Sequence, residues 1–182
     1  MEQMLILVDA KQIPERDVMQ FRNEFLSAGE HSINGSRGLH NYDNYNDWIG
    51  LVKECEKPDN HLLGVQANTY FAIRENDGKI VGCIELRTSL NDKLRKIGGH
   101  IGYSVLSAER RKGYATEMLH LILIEAEKIG LSKVLLTCDV NNLGSIKTIE
   151  DNGGMLERQE PFTCGDELYY KYWINCVMDR EA

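Results

Sequence analysis

The sequence has few prolines, no closely spaced cysteines and no long apolar run. Its 182 residues include 3 prolines, and the only early apolar run, Met4–Val8, is too short for a signal peptide or a membrane span. The 5 cysteines are scattered and odd in number, and no two are separated by just two residues. These absences exclude a disulfide framework and a zinc motif, and they predict one domain in a reducing, cytoplasmic compartment.

An excess of basic residues is also missing. The chain has 28 acidic residues against 21 lysines and arginines, which gives a formal net charge of −7. Surfaces that bind nucleic acid concentrate positive charge, so nucleic acid is not an expected partner. Apolar residues make up 42% of the chain, which is enough to form a packed core.

Apolar spacing predicts strands and helices along the whole chain. Pro14 precedes apolar residues at helical spacing, and a second helix is expected over Asp47–Lys57. Further helices are expected over Gly113–Ile129 and Leu143–Asn152. Strands are expected at Met4–Val8, Thr69–Arg74, Ile80–Arg87, Gly99–Val105, Lys133–Val140, Met155–Phe162 and Glu167–Ile174.

This order of elements predicts an α/β fold with a mixed central β-sheet flanked by helices. One parallel crossover through the long helix is expected in the centre of the sheet. On the strand Ile80–Arg87, simple alternation places Val81, Cys83, Glu85 and Arg87 on one face.

The segment from Val105 to Ala115 carries the clearest functional signal. A strand ends, the basic run Arg110–Lys112 follows, and a helix begins at Gly113. The first amides of a helix lack internal acceptors and carry partial positive charge, and a glycine lets a phosphate approach them. The segment therefore predicts an anion site of pyrophosphate size, with a solvated basic turn as the alternative interpretation.

Residues 110–115 (RRKGYA) also fit a known signature: arginine or glutamine, two residues, glycine, one residue, then glycine or alanine. The segment resembles the coenzyme A turn of the GNAT superfamily of acyl-CoA-dependent N-acetyltransferases. Asn142 and Ser145 resemble the start of the family's next helix, and the sequence GHIGY at 99–103 is similar to a branch of small bacterial acetyltransferases. The order of elements over roughly residues 66–175 also fits the family.

The resemblance implies a single GNAT domain over residues 1–182. Residues 66–175 would form the acetyl-CoA-binding core, and the strand and helices of residues 1–65 would wall the acceptor. Acetyl-CoA is the implied acyl donor, and no metal is expected. The implied coenzyme A residues are Tyr103, Val105, Arg110, Arg111, Lys112, Gly113, Tyr114, Ala115, Thr116, Asn142 and Ser145. For Asn142, a plain helix N-cap is the alternative.

The implied reaction needs an amine that has lost its proton. An alkylammonium with a pKa near 10.4 costs about 4–5 kcal/mol to neutralise at pH 7, so a base or a desolvating site is required. His100, on the strand that leads to Val105, is the first candidate, and a structural histidine bonded across strands is the alternative. Glu85 is the second candidate, and an ion pair with Arg87 is its alternative.

One position departs from the family pattern. Ile149 stands where many members carry a tyrosine that protonates the leaving thiolate. An isoleucine has no proton to donate, so Tyr103, Tyr114 or water would have to replace it, and the sequence selects none of them.

Three functions stay open at this point. The first is an N-acetyltransferase that passes an acetyl group from acetyl-CoA to a primary amine of a small molecule, amino acid or peptide by direct attack in a ternary complex. The second is a non-catalytic acyl-CoA-binding or sensing module, and the third is a protein-modifying acetyltransferase. The expected partner is a small-molecule amine or a peptide, without nucleic acid or membrane, and a homodimer is left open.

Overall fold

The computed structural model describes residues 4–60, 62 and 64–176, so both ends of the predicted domain lie outside the described residues. The helices are α1 (Glu15–Ser27), α2 (Tyr45–Cys55), α3 (Asp92–Lys96), α4 (Tyr114–Lys128) and α5 (Leu143–Asp151). The strands are β1 (Leu5–Asp9), β2 (Ala67–Arg74), β3 (Ile80–Arg87), β4 (Ile101–Val105), β5 (Lys133–Asp139), β6 (Met155–Leu156), β7 (Phe162–Cys164) and β8 (Glu167–Asn175).

The strands form two four-stranded sheets. The first has the order β1-β2-β3-β4, and in the second β8 pairs with β5, β6 and β7. Every pair among these strands is antiparallel. The expected crossover through α4 therefore joins the last strand of one sheet to the first strand of the other. It creates no parallel ladder among the described strands.

The two sheets meet where β4 begins. The N–H of His100 donates to the carbonyl oxygen of Leu135 in β5 at 2.7 Å. Gly99 has a φ of +61°, and a Cβ there would overlap the same carbonyl oxygen, so this position requires glycine. Over Ile101–Val105, β4 pairs with β3 alone among the described strands. Its other edge is therefore available to a ligand.

Helices cover both faces of the first sheet. α4 packs against β1, β3 and β4, and its buried stripe includes Met118, Leu119 and Ile122. On the other face, Phe21 of α1 and Trp48 of α2 lie in a second apolar cluster with residues of β2 and β3. This arrangement is the mixed α/β class that the sequence predicts. No helix in the described part of the chain is long and apolar enough to span a membrane.

The predicted alternation on β3 is wrong at its first two residues, Ile80 and Val81. A β-bulge lies where Ala72 pairs with Gly82 and Ile73 pairs with Ile80, which leaves Val81 as an extra residue. Val81 consequently packs into the α4 cluster, whereas Cys83 packs into the cluster with α1 and α2. The bulge depends on pairing with β2, so alternation within one strand does not reveal it.

Two other local expectations also need correction. The strand expected over Met155–Phe162 is two short strands, β6 and β7, separated by a charged stretch that ends in Pro161. Proline has no N–H for a ladder bond, which favours this break. The polar segment before β4 contains the short helix α3, which Asn91 caps by accepting the N–H of Leu94 at 2.9 Å. Five residues are too few to show a helical period.

Candidate active site

The turn between β4 and α4 presents unsatisfied backbone amides. We call residues 110–113 the phosphate turn. Arg111 and Gly113 both have left-handed backbone conformations, with φ of +66° and +85°. Gly113 is the N-cap of α4 and supplies no side-chain cap for the first-turn amides. A Cβ at Gly113 would meet no atom within 4 Å, so the space in front of these amides is open.

A cleft of about 750 Å³ lies in front of the phosphate turn. It runs from the N-terminus of α4, along the free edge of β4, to the N-terminus of α5. It brings together every predicted coenzyme A residue except Lys112. Those lining it are Tyr103, Val105, Arg110, Arg111, Gly113, Tyr114, Ala115, Thr116, Asn142 and Ser145. Neither predicted base, His100 or Glu85, is among its lining residues.

A larger but shallower groove of about 1080 Å³ lies along the exposed side of α1 and Leu106–Ala108. None of the predicted site residues line it. Its walls are residues of α1 and of Leu106–Ala108, and no residue of the phosphate turn lines it. The smaller cleft is therefore the candidate active site.

The three basic residues of the phosphate turn differ in how their charges are used. Lys112 donates to Glu109 at 2.8 Å. Glu109 also contacts Arg74 and Lys79. The three cations lower the pKa of Glu109 to about 2, and the hydrogen bond from Lys112 has the largest effect. Arg110 pairs with Glu30 at 2.6 Å. Arg111 has no carboxylate partner within the described residues, so its charge is the one available to an anion in the cleft.

Replacing Arg111 with alanine should therefore weaken coenzyme A binding by about tenfold, the value of one charge-assisted contact. Lys112→Ala should have a smaller effect, because the Lys112 charge is already satisfied by Glu109. Calorimetric titration of both variants with coenzyme A measures the difference. A greater loss at Lys112 than at Arg111 would contradict this division of roles.

His100 lies in the junction between the sheets and not in the cleft. It is 6% exposed, and its Nδ1 accepts the N–H of Leu135 at 2.9 Å. A neutral imidazole has one lone-pair nitrogen, and here that nitrogen is occupied. Burial, together with Arg87 and Arg95, lowers the pKa of His100 to about 4. This geometry favours the cross-strand alternative and does not support the catalytic role expected from the sequence.

The depressed pKa of His100 has a consequence for stability. The unfolded chain takes up a proton near pH 6.5, but the folded chain does so only near pH 4. Stability from this group is therefore present above pH 6.5 and is lost as the pH falls toward 4. His100→Gln should remove this part of the acid sensitivity, as urea midpoints at pH 7 and pH 5 would show. An equal drop in both proteins would exclude the effect.

Glu85 is also fixed by a structural environment. It is 1% exposed and lies between two arginines, with Arg87 Nε at 2.9 Å from one oxygen and Arg37 against the other. Arg37 comes from the loop between α1 and α2, and its side chain is 9% exposed. The carboxylate balances two largely buried cations. This is the predicted ion pair with Arg87, joined by a second arginine, Arg37. If Glu85 acted as a base and took up a proton, both arginines would lose their counter-charge.

Two hydroxyl groups meet on the floor of the cleft. The phenol of Tyr103 on β4 lies 2.8 Å from the hydroxyl of Ser145 on α5. Burial raises the pKa of Tyr103 to about 12, so the phenol stays protonated at neutral pH. The pair Tyr103–Ser145 is thus a source of O–H donors inside the cleft.

Neither Ile149 nor Tyr114 offers a proton beside this pair. Ile149 is 1% exposed and packs in the core, beneath Gly154. Tyr114 is buried, and its hydroxyl accepts a hydrogen bond from Arg74 at 3.2 Å. Of the two tyrosines that the sequence left open, Tyr103 is the one whose hydroxyl lies beside the Ser145 wall of the cleft.

The start of α5 forms the remaining wall. Asn142 caps this helix by accepting the N–H of Ser145 at 3.0 Å, so the N-cap interpretation holds. Asn142 also lines the cleft, and its cap places Ser145 opposite Tyr103.

Several residues of the cleft carry no sequence signal. Glu30, Ser32 and Asn34 reach it from the loop after α1, across the edge of β4. They belong to no recognisable motif. They precede the phosphate turn by more than 60 residues in sequence, and only tertiary packing brings them close to it.

The cleft thus combines an uncapped helix start with a free strand edge, which together can hold a phosphate-bearing ligand with an extended arm. The sequence model of the acetyltransferase (GNAT) family matches residues 35–153. The chain belongs to this family and is an acetyl-CoA-dependent N-acetyltransferase.

Solved structures share the fold at low sequence identity. A GnaT-family acetyltransferase from Bordetella pertussis is 15% identical, with a TM-score of 0.66 over 96% of this chain and 97% of that one. A ribosomal L7/L12 alpha-N-protein acetyltransferase in complex with coenzyme A is 16% identical, with a TM-score of 0.64 over 96% and 95%. A spermidine N-acetyltransferase chimera from Vibrio cholerae and hSSAT is 14% identical, with a TM-score of 0.62 over 95% of this chain and 96% of that one. No curated protein sequence matches the chain.

Proposed function

We propose that the protein acetylates a primary amine of a small molecule, amino acid or peptide by direct attack on acetyl-CoA in a ternary complex. The observation that carries this proposal is the cleft itself. It joins the uncapped start of α4 to the free edge of β4 and to the hydroxyl pair Tyr103–Ser145. A two-substrate reaction needs a donor channel that reaches a reactive centre, and this cleft has that form.

The donor would bind along the cleft in one direction. The amides from Arg111 to Thr116 would hold the pyrophosphate, with the Arg111 side chain beside them. The pantetheine arm would lie along the free edge of β4, between Tyr103 and Val105, and would pair with its main chain as an added strand does. Asn142 would contact the same arm from α5.

The hydroxyl pair would then serve the leaving group. When the amine nitrogen attacks the thioester carbon, the carbonyl oxygen becomes an oxyanion, and a main-chain amide of the β4 edge would stabilise it. Collapse of this intermediate breaks the carbon–sulfur bond. Ser145 can donate its O–H to the phenol oxygen of Tyr103, which leaves the phenol proton for the thiolate sulfur. We assign this donor role to Tyr103 in place of the missing tyrosine at Ile149.

Tyr103→Phe should lower kcat by about a hundredfold, because the substitution removes a proton donor to the charge that develops on the leaving sulfur. The Kd of coenzyme A should stay nearly unchanged. The deficit should shrink with an acetyl thioester of a more acidic thiol, because a better leaving group needs less help. Steady-state kinetics with both donors measure this. Tyr170→Phe, on β8, is the matched control. A deficit that is independent of the thiol would indicate a packing role.

Removal of the proton from the amine is not assigned to His100 or Glu85, because both are engaged in buried contacts. The acceptor would approach from the side of the cleft formed by the loop after α1. Ser32 and Asn34 line that side, which offers polar groups to an amine. All five cysteines are free, which supports the cytoplasmic location that we propose.

The test is a panel assay on the purified protein. Acetyl-CoA is mixed with polyamines, amino acids and peptides with free N-termini, and thiol release is followed. Release with at least one amine supports the proposal. Coenzyme A binding without turnover across the panel would favour the binding-module alternative, and turnover with peptides alone would favour the protein-modifying one. Absence of coenzyme A binding would refute the proposal.

A further inference from the structure

Arg110 is the first residue of the family signature, but its side chain turns away from the open amides of the phosphate turn. Its Nε donates to the carbonyl oxygen of Val105 at 2.9 Å, and its Nη2 donates to Glu30 at 2.6 Å. Both partners accept through oxygen, so the guanidinium is already held in a fixed orientation. Arg111, by contrast, has no carboxylate partner within the described residues.

Glu30 is well placed to hold this arginine. Gly29, with a φ of +78°, ends α1, and its N–H donates to Leu26 while the N–H of Glu30 donates to Phe25. These two bonds form a Schellman motif, which fixes the backbone of Glu30 to the last turn of α1. Phe25 is 1% exposed in the core. Glu30 therefore projects from a rigid support.

The phosphate turn needs such a support. Arg111 and Gly113 are both left-handed, and this conformation is unfavourable for a residue with a side chain. Arg110 immediately precedes Arg111, so fixing the Arg110 side chain at two points restrains the start of the strained turn. The Val105 contact ties it to β4, and the Glu30 contact ties it to α1.

We propose that Glu30 is a positioning residue for the phosphate turn, which it supports by holding Arg110. The inference rests on the proposed function, since its value lies in the binding of coenzyme A. It changes the role implied for Arg110 by the family signature. Arg110 aligns the amides that bind phosphate and does not itself bind the phosphate.

The two roles for Arg110 predict opposite results for one substitution. If Arg110 were a phosphate ligand, Glu30 would compete with the phosphate for it, and Glu30→Gln would tighten coenzyme A binding. If Glu30 and Arg110 support the turn, Glu30→Gln loosens it and weakens binding. Removal of a negative charge near an anion site would by itself favour binding, so a weaker complex cannot result from the charge change alone.

The experiment is a double-mutant cycle with coenzyme A as the titrant. Glu30→Gln and Arg110→Gln are each expected to raise its Kd by about three- to tenfold, and the double variant should be no weaker than the weaker single variant. Glu125→Gln, which breaks an exposed pair with Lys128 at the far end of α4, is the control. A tighter or unchanged complex for Glu30→Gln, or additive losses in the double variant, would overturn the proposal.

A second measurement separates this proposal from the proposed function. Amide hydrogen exchange of residues 111–116 is followed without any ligand. Both single variants should exchange faster than the wild type and the Glu125 control, because the turn has lost its support. Unchanged exchange would overturn the positioning role. A wild type that binds no coenzyme A would refute the proposed function, and the exchange result would still decide the role of Glu30.

Discussion

Gly113→Ala is expected to weaken coenzyme A binding by at least about a hundredfold, equivalent to two charge-assisted hydrogen bonds. The glycine has a φ of +85°, and a Cβ would project into space that is open in the protein. In the complex we propose, that space contains the pyrophosphate. The new methyl group would keep the phosphate from the amides of α4, and titration calorimetry measures the loss.

A matched substitution separates this effect from backbone strain. Gly130, which follows α4 at its other end, has a φ of +88° and also has open space around it. Gly130→Ala should lose a similar amount of folding stability, about 1 kcal/mol, because both positions are left-handed. It should bind coenzyme A as the wild type does. Equal affinities for the two variants would remove the anion site from the phosphate turn.

This contrast also shows why the phosphate turn could be predicted. The end of β4, the glycine and the start of α4 lie within about ten consecutive residues, so the sequence contains the whole feature. Local signals of this kind also predict β3, which the structure places at Ile80–Arg87, and the cap of α5 at Asn142. The cleft then brings these local features together.

The roles of His100 and Glu85 could not be predicted in the same way. The lone pair of His100 is occupied by an amide 35 residues away in sequence, and nothing near His100 indicates that contact. Glu85 meets Arg37 because a loop folds across β3, and Gly35 in that loop packs so closely on β4 that a Cβ would overlap Gly102. Each role depends on tertiary pairing between distant segments.

The same loop connects the two halves of the candidate site. Ser36 is buried, and its main-chain carbonyl oxygen accepts the indole N–H of Trp48 at 2.8 Å. Ser32 and Asn34 of the same loop line the cleft. At the position after Ser36, the side chain of Arg37 is 9% exposed. The groups that would face the acceptor are therefore carried by a loop whose buried half is part of the core. Changes in that core should alter the acceptor side of the cleft.

Glu85→Ala is accordingly expected to act on stability. The substitution leaves Arg37 and Arg87 largely buried, close together and without a carboxylate partner. Breaking a buried ion pair in this way costs about 3–5 kcal/mol, so the urea midpoint should fall far below that of the wild type. Glu54→Ala removes an exposed carboxylate from a pair with Lys57, and it should cost about 1 kcal/mol or less.

A catalytic Glu85 would give the opposite pattern, with a large loss of kcat and an unchanged urea midpoint. The two interpretations can also be separated in a stable background. Replacing Arg37, Glu85 and Arg87 together with apolar residues of similar size removes all three charges, and such replacements often retain or regain stability. If the triple variant folds and still acetylates an amine, Glu85 is not the base. If it folds and binds coenzyme A but has lost all turnover, Glu85 regains the catalytic role that its buried contacts argue against.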